Sequence, residues 1–387
     1  MTSKAASSIC IIGGGPLALS AAYFLSRQCK GRASITLLEA SSQTGGLVGA
    51  HKLANGEYIE SYYHHIFQTD KSFINICHLM GVSNQIFFRS VATAHFYGGT
   101  LYNFRGPSDI LLGNLLSLKN RIRFLAASLY LKIGVQRIFK NKSALEGSHI
   151  FYGEEVTQKI WGPLLERKFG HLYAEVPMSW LASRIRDRSI KLGYYSGGFH
   201  RFYQTLTRAC QEKGVTINYN TKVTSLSVRS NKVEVNGITY DACLSTIGPV
   251  LEKQLIETSS NPSIKYLGAI CVIFEFDGEL DIPYWTNYCD PDSPVLAVIN
   301  HKKLDSDNRL KNCHPVYAAA YLNPDSDLFL VEDKDIENLF YKSIQSVANV
   351  GSTSSMPHLI RATVYRSKYA QPLINPDIGL YPVISSE

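Results

Sequence analysis

The chain has 387 residues, 45% of them apolar, 11% aromatic and only 18% charged, a composition that supplies two or three sizeable cores and excludes global disorder. The formal charge is +7, and the excess is local: between positions 110 and 145 stand Lys119, Arg121, Arg123, Lys132, Arg137, Lys140 and Lys142 without one acidic residue. No apolar run reaches the roughly 18 residues of a spanning helix.

An apolar strand over 8–12 opens the chain and leaves no room for a signal peptide. Eight cysteines lie scattered without a C-x-x-C pair or a zinc spacing, which predicts reduced thiols in a cytoplasmic protein and no metal site. Gly13-Gly14-Gly15-Pro16 follows the strand, a helical stretch comes next, and a second strand over 34–38 ends in Glu39, making a βαβ opening. From 107 to about 188 the pattern turns helical, punctuated by Pro163 and Pro177. Within it the 110–145 cations alternate with leucines and isoleucines. Such a segment builds either a helical hairpin with a solvated basic rim or a helix lying on an anionic membrane. Gly197-Gly198 precedes a helix through 208, strands follow at 215–219, 223–228, 232–235 and 238–240, and Asn236-Gly237 signals a type I′ hairpin. A strand at 242–247 ends at Gly248-Pro249. Further β-rich runs at 270–276, 295–299 and 316–320 and a helix near 336–347 indicate a second, sheet-containing domain.

The glycines have a mechanism in this context. Gly13 permits the tight turn, Gly15 lets backbone approach a pyrophosphate, and the helix opening at Pro16 offers that anion its N-terminal N–H groups. Ala18 fills the third fingerprint position, where a small residue is needed for helix–strand packing. Glu39 stands where a carboxylate accepts from ribose hydroxyls. Six residues on comes Gly45-Gly46, followed by Leu47. This Glu, polar loop and glycine pair resemble the FAD-binding fingerprint of the flavoprotein superfamily of amine oxidases, protoporphyrinogen oxidases, phytoene desaturases and UDP-galactopyranose mutases. Later motifs, Trp161-Gly162-Pro163, Lys168-Phe169-Gly170, Leu192-Gly193-Tyr194 and Tyr284-Trp285, extend the resemblance over most of the chain.

The resemblance implies FAD as cofactor and an α/β fold, in which a Rossmann-like FAD-binding domain with a β-meander is joined to a substrate domain of mixed sheet and helical insertion. It divides the chain into FAD-domain segments at 1–85 and 191–255, a largely helical insertion at 86–190, a substrate-domain sheet and helix at 256–365, and a return toward the FAD domain at 366–387. It also implies adenine contacts from the backbone of Val223 and a place near the nucleotide for Thr246. Leu47 stands where many members carry an arginine. The superfamily's closing strand and Gly-Asp helix start are expected after Tyr365, and the chain ends at Glu387 without them, which reads as a truncated product, a weak FAD site or a site that a partner completes.

The run Tyr62-Tyr63-His64-His65-Ile66-Phe67 is similar to the histidine segment of the mutases and makes His65 the candidate catalytic residue, as a hydrogen-bond donor or proton shuttle. Trp161 and Lys168, with Arg167 and Lys159 near them, are candidate contacts for a phosphate- or carboxylate-bearing substrate, and Trp285 and Tyr288 are candidate stacking walls. Together these give an FAD-dependent oxidoreductase that takes a hydride from a small molecule and passes electrons to an unidentified acceptor. The alternatives are an isomerase using reduced FAD and a non-catalytic flavoprotein-like chain. Nucleic acid is excluded as a partner because no recognition fold accompanies the basic segment; membrane contact through 110–145 is a separate expectation.

Overall fold

The computed structural model describes residues 7–134, 142–189, 191–255, 265–305, 308–350 and 355–373. The N-terminal pattern folds as its alternation requires. Ser7–Ile12 is the inner strand of a four-stranded parallel sheet, flanked by Ala33–Leu38 and Ala242–Ser245, with Val215–Asn218 outermost. The two inner strands bury Cys10, Ile11, Ile12, Ile35, Leu37 and Leu38 between two covered faces, while the outer strands carry more polar and more exposed residues. On one face Ile11, Ile35 and Leu37 pack with Ala18, Leu19 and Ala22 of the helix Pro16–Cys29 and with Phe202 and Leu206 of the helix Gly198–Glu212. On the other, Cys10, Ile12 and Leu38 meet Val223, Val235 and Tyr240 of the meander. The meander strands are Leu226–Arg229, Lys232–Val235 and Ile238–Tyr240, and Asn236 and Gly237 both adopt positive φ (49° and 80°), as a type I′ turn demands.

The second domain is built on a seven-stranded mixed sheet in the order Leu359–Pro372, Tyr266–Phe276, His314–Leu322, Ala297–Asn300, Trp285–Tyr288, Thr93–Tyr97, Thr100–Asn103. Only the Trp285–Tyr288 and Thr93–Tyr97 pair is parallel. The helix Asp333–Ala348 covers one face through Ile336, Phe340, Ile344 and Val347. The helices Leu118–Ile133, Ala144–Tyr152, Gly162–Phe169 and Met178–Asp187 form a separate layer around Tyr152, Phe169 and Met178.

Two boundaries differ from the sequence reading. The 86–190 segment, expected to be largely helical, starts with three strands. Ile86–Ser90 pairs with Lys191–Tyr195, and Thr93–Tyr97 turns back on Thr100–Asn103 at Gly98-Gly99, whose N–H groups donate to the Asp290 carboxylate (2.5 and 2.8 Å). The polar stretch after Tyr365 is no return to the first domain within the described residues. It completes the edge strand Leu359–Pro372, which pairs antiparallel along Tyr266–Phe276. Alternation places Ala362 and Val364 against the helix-covered core and Tyr365 against the other. Polar residues suit an edge strand, and here they hid it from the sequence pattern. Gly379 to Pro382 and the end of the chain lie outside the described residues.

Two buried carboxylates fasten the domains. Glu60 accepts from Tyr194 Oη (2.7 Å) and from the Phe199 N–H (2.5 Å) at the start of the helix Gly198–Glu212, and its carbonyl takes the Tyr317 hydroxyl (2.7 Å) from the large sheet. Glu275, in the large sheet, accepts from His51 Nε2 (3.0 Å), the Ala54 N–H (2.7 Å), the Cys313 thiol (3.3 Å) and Arg361, while His51 Nδ1 meets Tyr365 Oη at 2.7 Å. Burial alone would raise the Glu275 pKa. The His51, Ala54, Arg361 and Cys313 hydrogen bonds override it and hold the carboxyl down at about 2. All eight cysteines are free thiols. Among the described residues no helix is long and apolar enough to cross a membrane.

Candidate functional site

The cradle forms where two glycine loops cross. Gly13 has φ +102°, and a Cβ there would lie 2.7 Å from Thr246 Oγ1, whose hydroxyl is anchored on Ile12 O (2.7 Å). Gly15 caps the helix with no side chain, and Pro16 follows at its first position, so the first-turn N–H groups stay uncovered. Ala18 is fully buried, in keeping with a packing role. The Gly45 N–H donates to Gly14 O (2.9 Å). Gly46 has φ +56°, and a Cβ there would come within 3.2 Å of Gly15 Cα. Glu39 lies against the turn, since a Cβ on Gly14 would sit 2.5 Å from its Oε2, and its Oε1 accepts from the Ser41 N–H and hydroxyl (both 2.8 Å). Across the sheet end, Asn236 binds Lys222 O and the N–H groups of Thr224 and Ser225. These bonds leave the Val223 backbone out, and its side chain packs in the core below.

Beyond the cradle, a cavity of about 100 Å³ separates the two domains. Leu47, Tyr62, Tyr63 and His64 line one side; Ala269, Cys271, Ala319, Ala320, Tyr321 and Ala370 line the other. The alanines keep this wall of the sheet flat, which suits a planar ring. Helix N-terminus, crossing glycine loops, an acid at the end of the second strand and a flat-walled cavity fit a dinucleotide that carries a flavin. A larger, open cavity of about 350 Å³ is lined by Ser42, Thr44, His200, Gln204 and Arg208 among others, and none of the site residues read from the sequence lines it.

His65 does not line the cavity but adjoins it. Its Nδ1 meets Tyr284 Oη at 3.1 Å, and its ring is edge-on to Trp285 (5.8 Å), which is itself edge-on to Tyr63 (5.1 Å). Loss of hydration, with the fields of Arg188, His64 and Arg184, pulls His65 down to about 3. It is therefore a neutral imidazole near pH 7 and unsuited to act as a resident cation. Lys168 places its ammonium 4.0 Å from the centre of the Tyr321 ring. Desolvation and Arg184 lower it to about 7. Lys168, His65 and Tyr63 all keep accessible surface although desolvation dominates their shifts, the mark of side chains that line a deep cleft.

Sequence reasoning missed Arg184 and Arg188. Arg184 stands in the last turn of the helix Met178–Asp187, 5.5 Å from the centre of the Trp180 ring, and Arg188 is the extended residue that ends the helix. Both are exposed, and Arg188 is pulled below its ordinary value by desolvation and by Arg184. Ion pairs nearby join other residues, Arg186 to Asp187 and Lys265 to Glu175; among the described residues none takes up Lys168, Arg184 or Arg188.

Four candidates fall elsewhere. Trp161 stacks on Phe124 (6.2 Å) and abuts Tyr152 in the helical layer, because its helix turns the ring inward while carrying Lys168 toward Tyr321. Arg167 donates to the carbonyls of Ser293 and Asp290, and Lys159 pairs with Glu155 (2.9 Å); both are structural. Tyr288 is fully buried, stacked on Phe96 with its hydroxyl on Asp292.

No curated protein sequence matches the chain. Among solved structures it superposes on a putative protoporphyrinogen oxidase from Exiguobacterium sp. 255-15 with a TM-score of 0.73 at 14% identity, covering 97% of this chain and 88% of that one. A reduced UDP-galactopyranose mutase gives 0.73 at 15%, with 95% and 84% covered, and cyclohexylamine oxidase from Brevibacterium oxydans IH-35A gives 0.69 at 12%, with 93% and 84%. At such identities these likenesses establish the fold. The family model described as flavin containing amine oxidoreductase matches residues 19–365, which begins just after the Gly13–Ala18 turn and takes in Glu39, the Gly45-Gly46 loop, Thr246, the cation cluster and all of the cavity lining but Ala370; the chain belongs to that family, and its cofactor is FAD.

Proposed function

We propose that this protein is an FAD-dependent oxidoreductase that takes a hydride from a small anionic molecule. The observation that carries the substrate class is the trio Lys168, Arg184 and Arg188, three cations without carboxylate partners among the described residues: Lys168 stands over Tyr321, and the fields of Arg188 and Arg184 reach His65, which is edge-on to Trp285. FAD, when bound, accepts the hydride. The chain's own residues do the rest. The first turn after Gly15 holds the pyrophosphate, Glu39 the ribose, and Val223 and Thr246 flank the adenosine end. Lys168 and the two arginines orient the substrate's anion. Trp285 and Tyr63 form an aromatic wall that excludes water, and neutral His65 holds a hydrogen bond to Tyr284 or to a substrate hydroxyl or amine without adding charge.

The test is anaerobic mixing of the holoprotein with carboxylate- or phosphate-bearing alcohols and amines, following bleaching of the flavin band. Bleaching by anionic compounds, restored by an acceptor, supports the assignment. Bleaching only by uncharged or cationic amines overturns the substrate class. Turnover that needs prior reduction and consumes no acceptor moves the protein to the isomerase reading.

Lys168 also sets a pH dependence. Its ammonium is present below about pH 7 and lost above it, so anion affinity is expected to fall as pH rises through 7. His65, close by, stays neutral over this range. Lys168→Met should weaken succinate binding, read as a perturbation of the flavin spectrum at pH 6, by roughly 10- to 100-fold, and should flatten the dependence between pH 6 and 8.

A further inference from the structure

The helix Leu118–Ile133 buries Phe124, Ala127 and Leu131 against its own layer. Its outward side is not the polar surface expected of a packed helix. Leu118 is 64% exposed, Ile122 57%, Leu129 61% and Ile133 75%. At 100° per residue these four fall within an arc of about 60°, opposite the buried side. Leu112 is also exposed, at the end of the helix Pro107–Leu112, which Arg121 ties to this one by donating to Leu111 O (3.0 Å). Cations flank the stripe on both sides. Lys119 and Arg123 lie along one edge, Arg121 and Lys132 along the other, and Lys142 follows; Arg123 already donates to Phe151 O and Ile150 O, Arg121 to Leu116 O and Lys132 to Arg188 O, whereas among the described residues Lys119 and Lys142 make no side-chain hydrogen bond. The nearest acids are engaged, Glu155 with Lys159 and Glu154 with His149. Arg137 and Lys140 lie outside the described residues and are not needed.

We infer that this face docks the protein on an anionic phospholipid bilayer, the apolar stripe entering the headgroup boundary and the flanking cations pairing with lipid phosphates. A stripe of single leucines and isoleucines bordered by long basic side chains is the pattern that favours an interfacial helix: the apolar side chains gain burial, and the stems of Lys and Arg reach the headgroup level. A protein partner would require matching acids and apolar pockets, whereas a bilayer accepts the stripe as it stands. The inference is independent of the substrate class.

The test is sedimentation of the holoprotein with phosphatidylcholine vesicles, with and without about 30% phosphatidylglycerol, at roughly 50 and 500 mM salt. The expected result is sedimentation with the anionic vesicles at low salt, and an at least roughly tenfold loss for Ile122→Ser/Leu129→Ser/Ile133→Ser with flavin content unchanged. If that variant loses flavin, Lys119→Glu/Lys142→Glu, which leaves the stripe and its packing intact, decides instead and should lower binding severalfold. No sedimentation of the parent, equal sedimentation of parent and variant, or a concentration-dependent dimer that the serine variant abolishes without vesicle binding would each overturn it.

Discussion

Gly46→Val is expected to purify as a folded but colourless protein, with FAD binding weakened roughly 100-fold or more. Two costs coincide at this position. A β-branched residue is strained at φ +56°, and a Cβ at 3.2 Å from Gly15 Cα meets backbone that cannot rotate away. Gly15 caps the helix that would hold the pyrophosphate on the reading proposed above, so the strain is relieved by opening the cradle. Gly56→Ala is the matched control. Gly56 also has a positive φ (88°), but a Cβ there would meet nothing within 4 Å, so this variant should lose some stability and keep its flavin. Flavin-to-protein ratio after purification, with circular dichroism as the folding check, measures both. Equal flavin loss in the two variants would mean that backbone strain, not the close approach of the two loops, governs the cofactor.

Glu275→Gln should cost about 3 kcal/mol at neutral pH, and the cost should shrink in acid. The carboxyl stands at about 2 in the folded protein against an ordinary 4.5, and a shift of that size corresponds to about 3 kcal/mol. Because the folded pKa is the lower one, this stability is complete above about pH 4.5 and is lost as pH falls toward 2. Glutamine does not titrate, and its amide end presents donors to a pocket of donors supplied by His51, Ala54, Cys313 and Arg361. Denaturant midpoints of parent and variant should therefore lie well apart at pH 7 and draw together near pH 3. A gap that stays constant would show that Glu275 contributes by shape and hydrogen bonding without its charge.

The parts of the molecule legible in the sequence were those with short-range causes. The first strand, the glycine turn, Ala18, Glu39 and the Gly45-Gly46 pair lie within forty residues of one another, and each carries its own conformational signal. The Asn236-Gly237 hairpin was read for the same reason. The substrate end was read poorly because adjacency in sequence is not adjacency in space. Trp161 and Lys168 seem one unit in the sequence, yet one ring turns into Phe124 while the other side chain reaches Tyr321 on a strand more than 150 residues away. Arg184, Arg188, Tyr63, Tyr284 and Tyr321 come near one another only when four segments converge, and no local pattern marks that. The edge strand Leu359–Pro372 was missed because an edge tolerates the polar residues that make a segment read as loop.

The parallel sheet has a consequence for the birth of the chain. Ser7–Ile12 finds one neighbour at once in Ala33–Leu38, but its other neighbour is Ala242–Ser245, and the Ser8 amide meets Asp241 across 233 residues. At about 5–20 residues per second, an apolar strand edge is synthesised roughly 10 to 50 s before the strand that covers it. During that interval Ile9 and Ile11 offer unpaired backbone to any passing strand, including that of another nascent copy. Yield should therefore depend on chaperones and on the pace of translation more than the stability of the finished protein suggests.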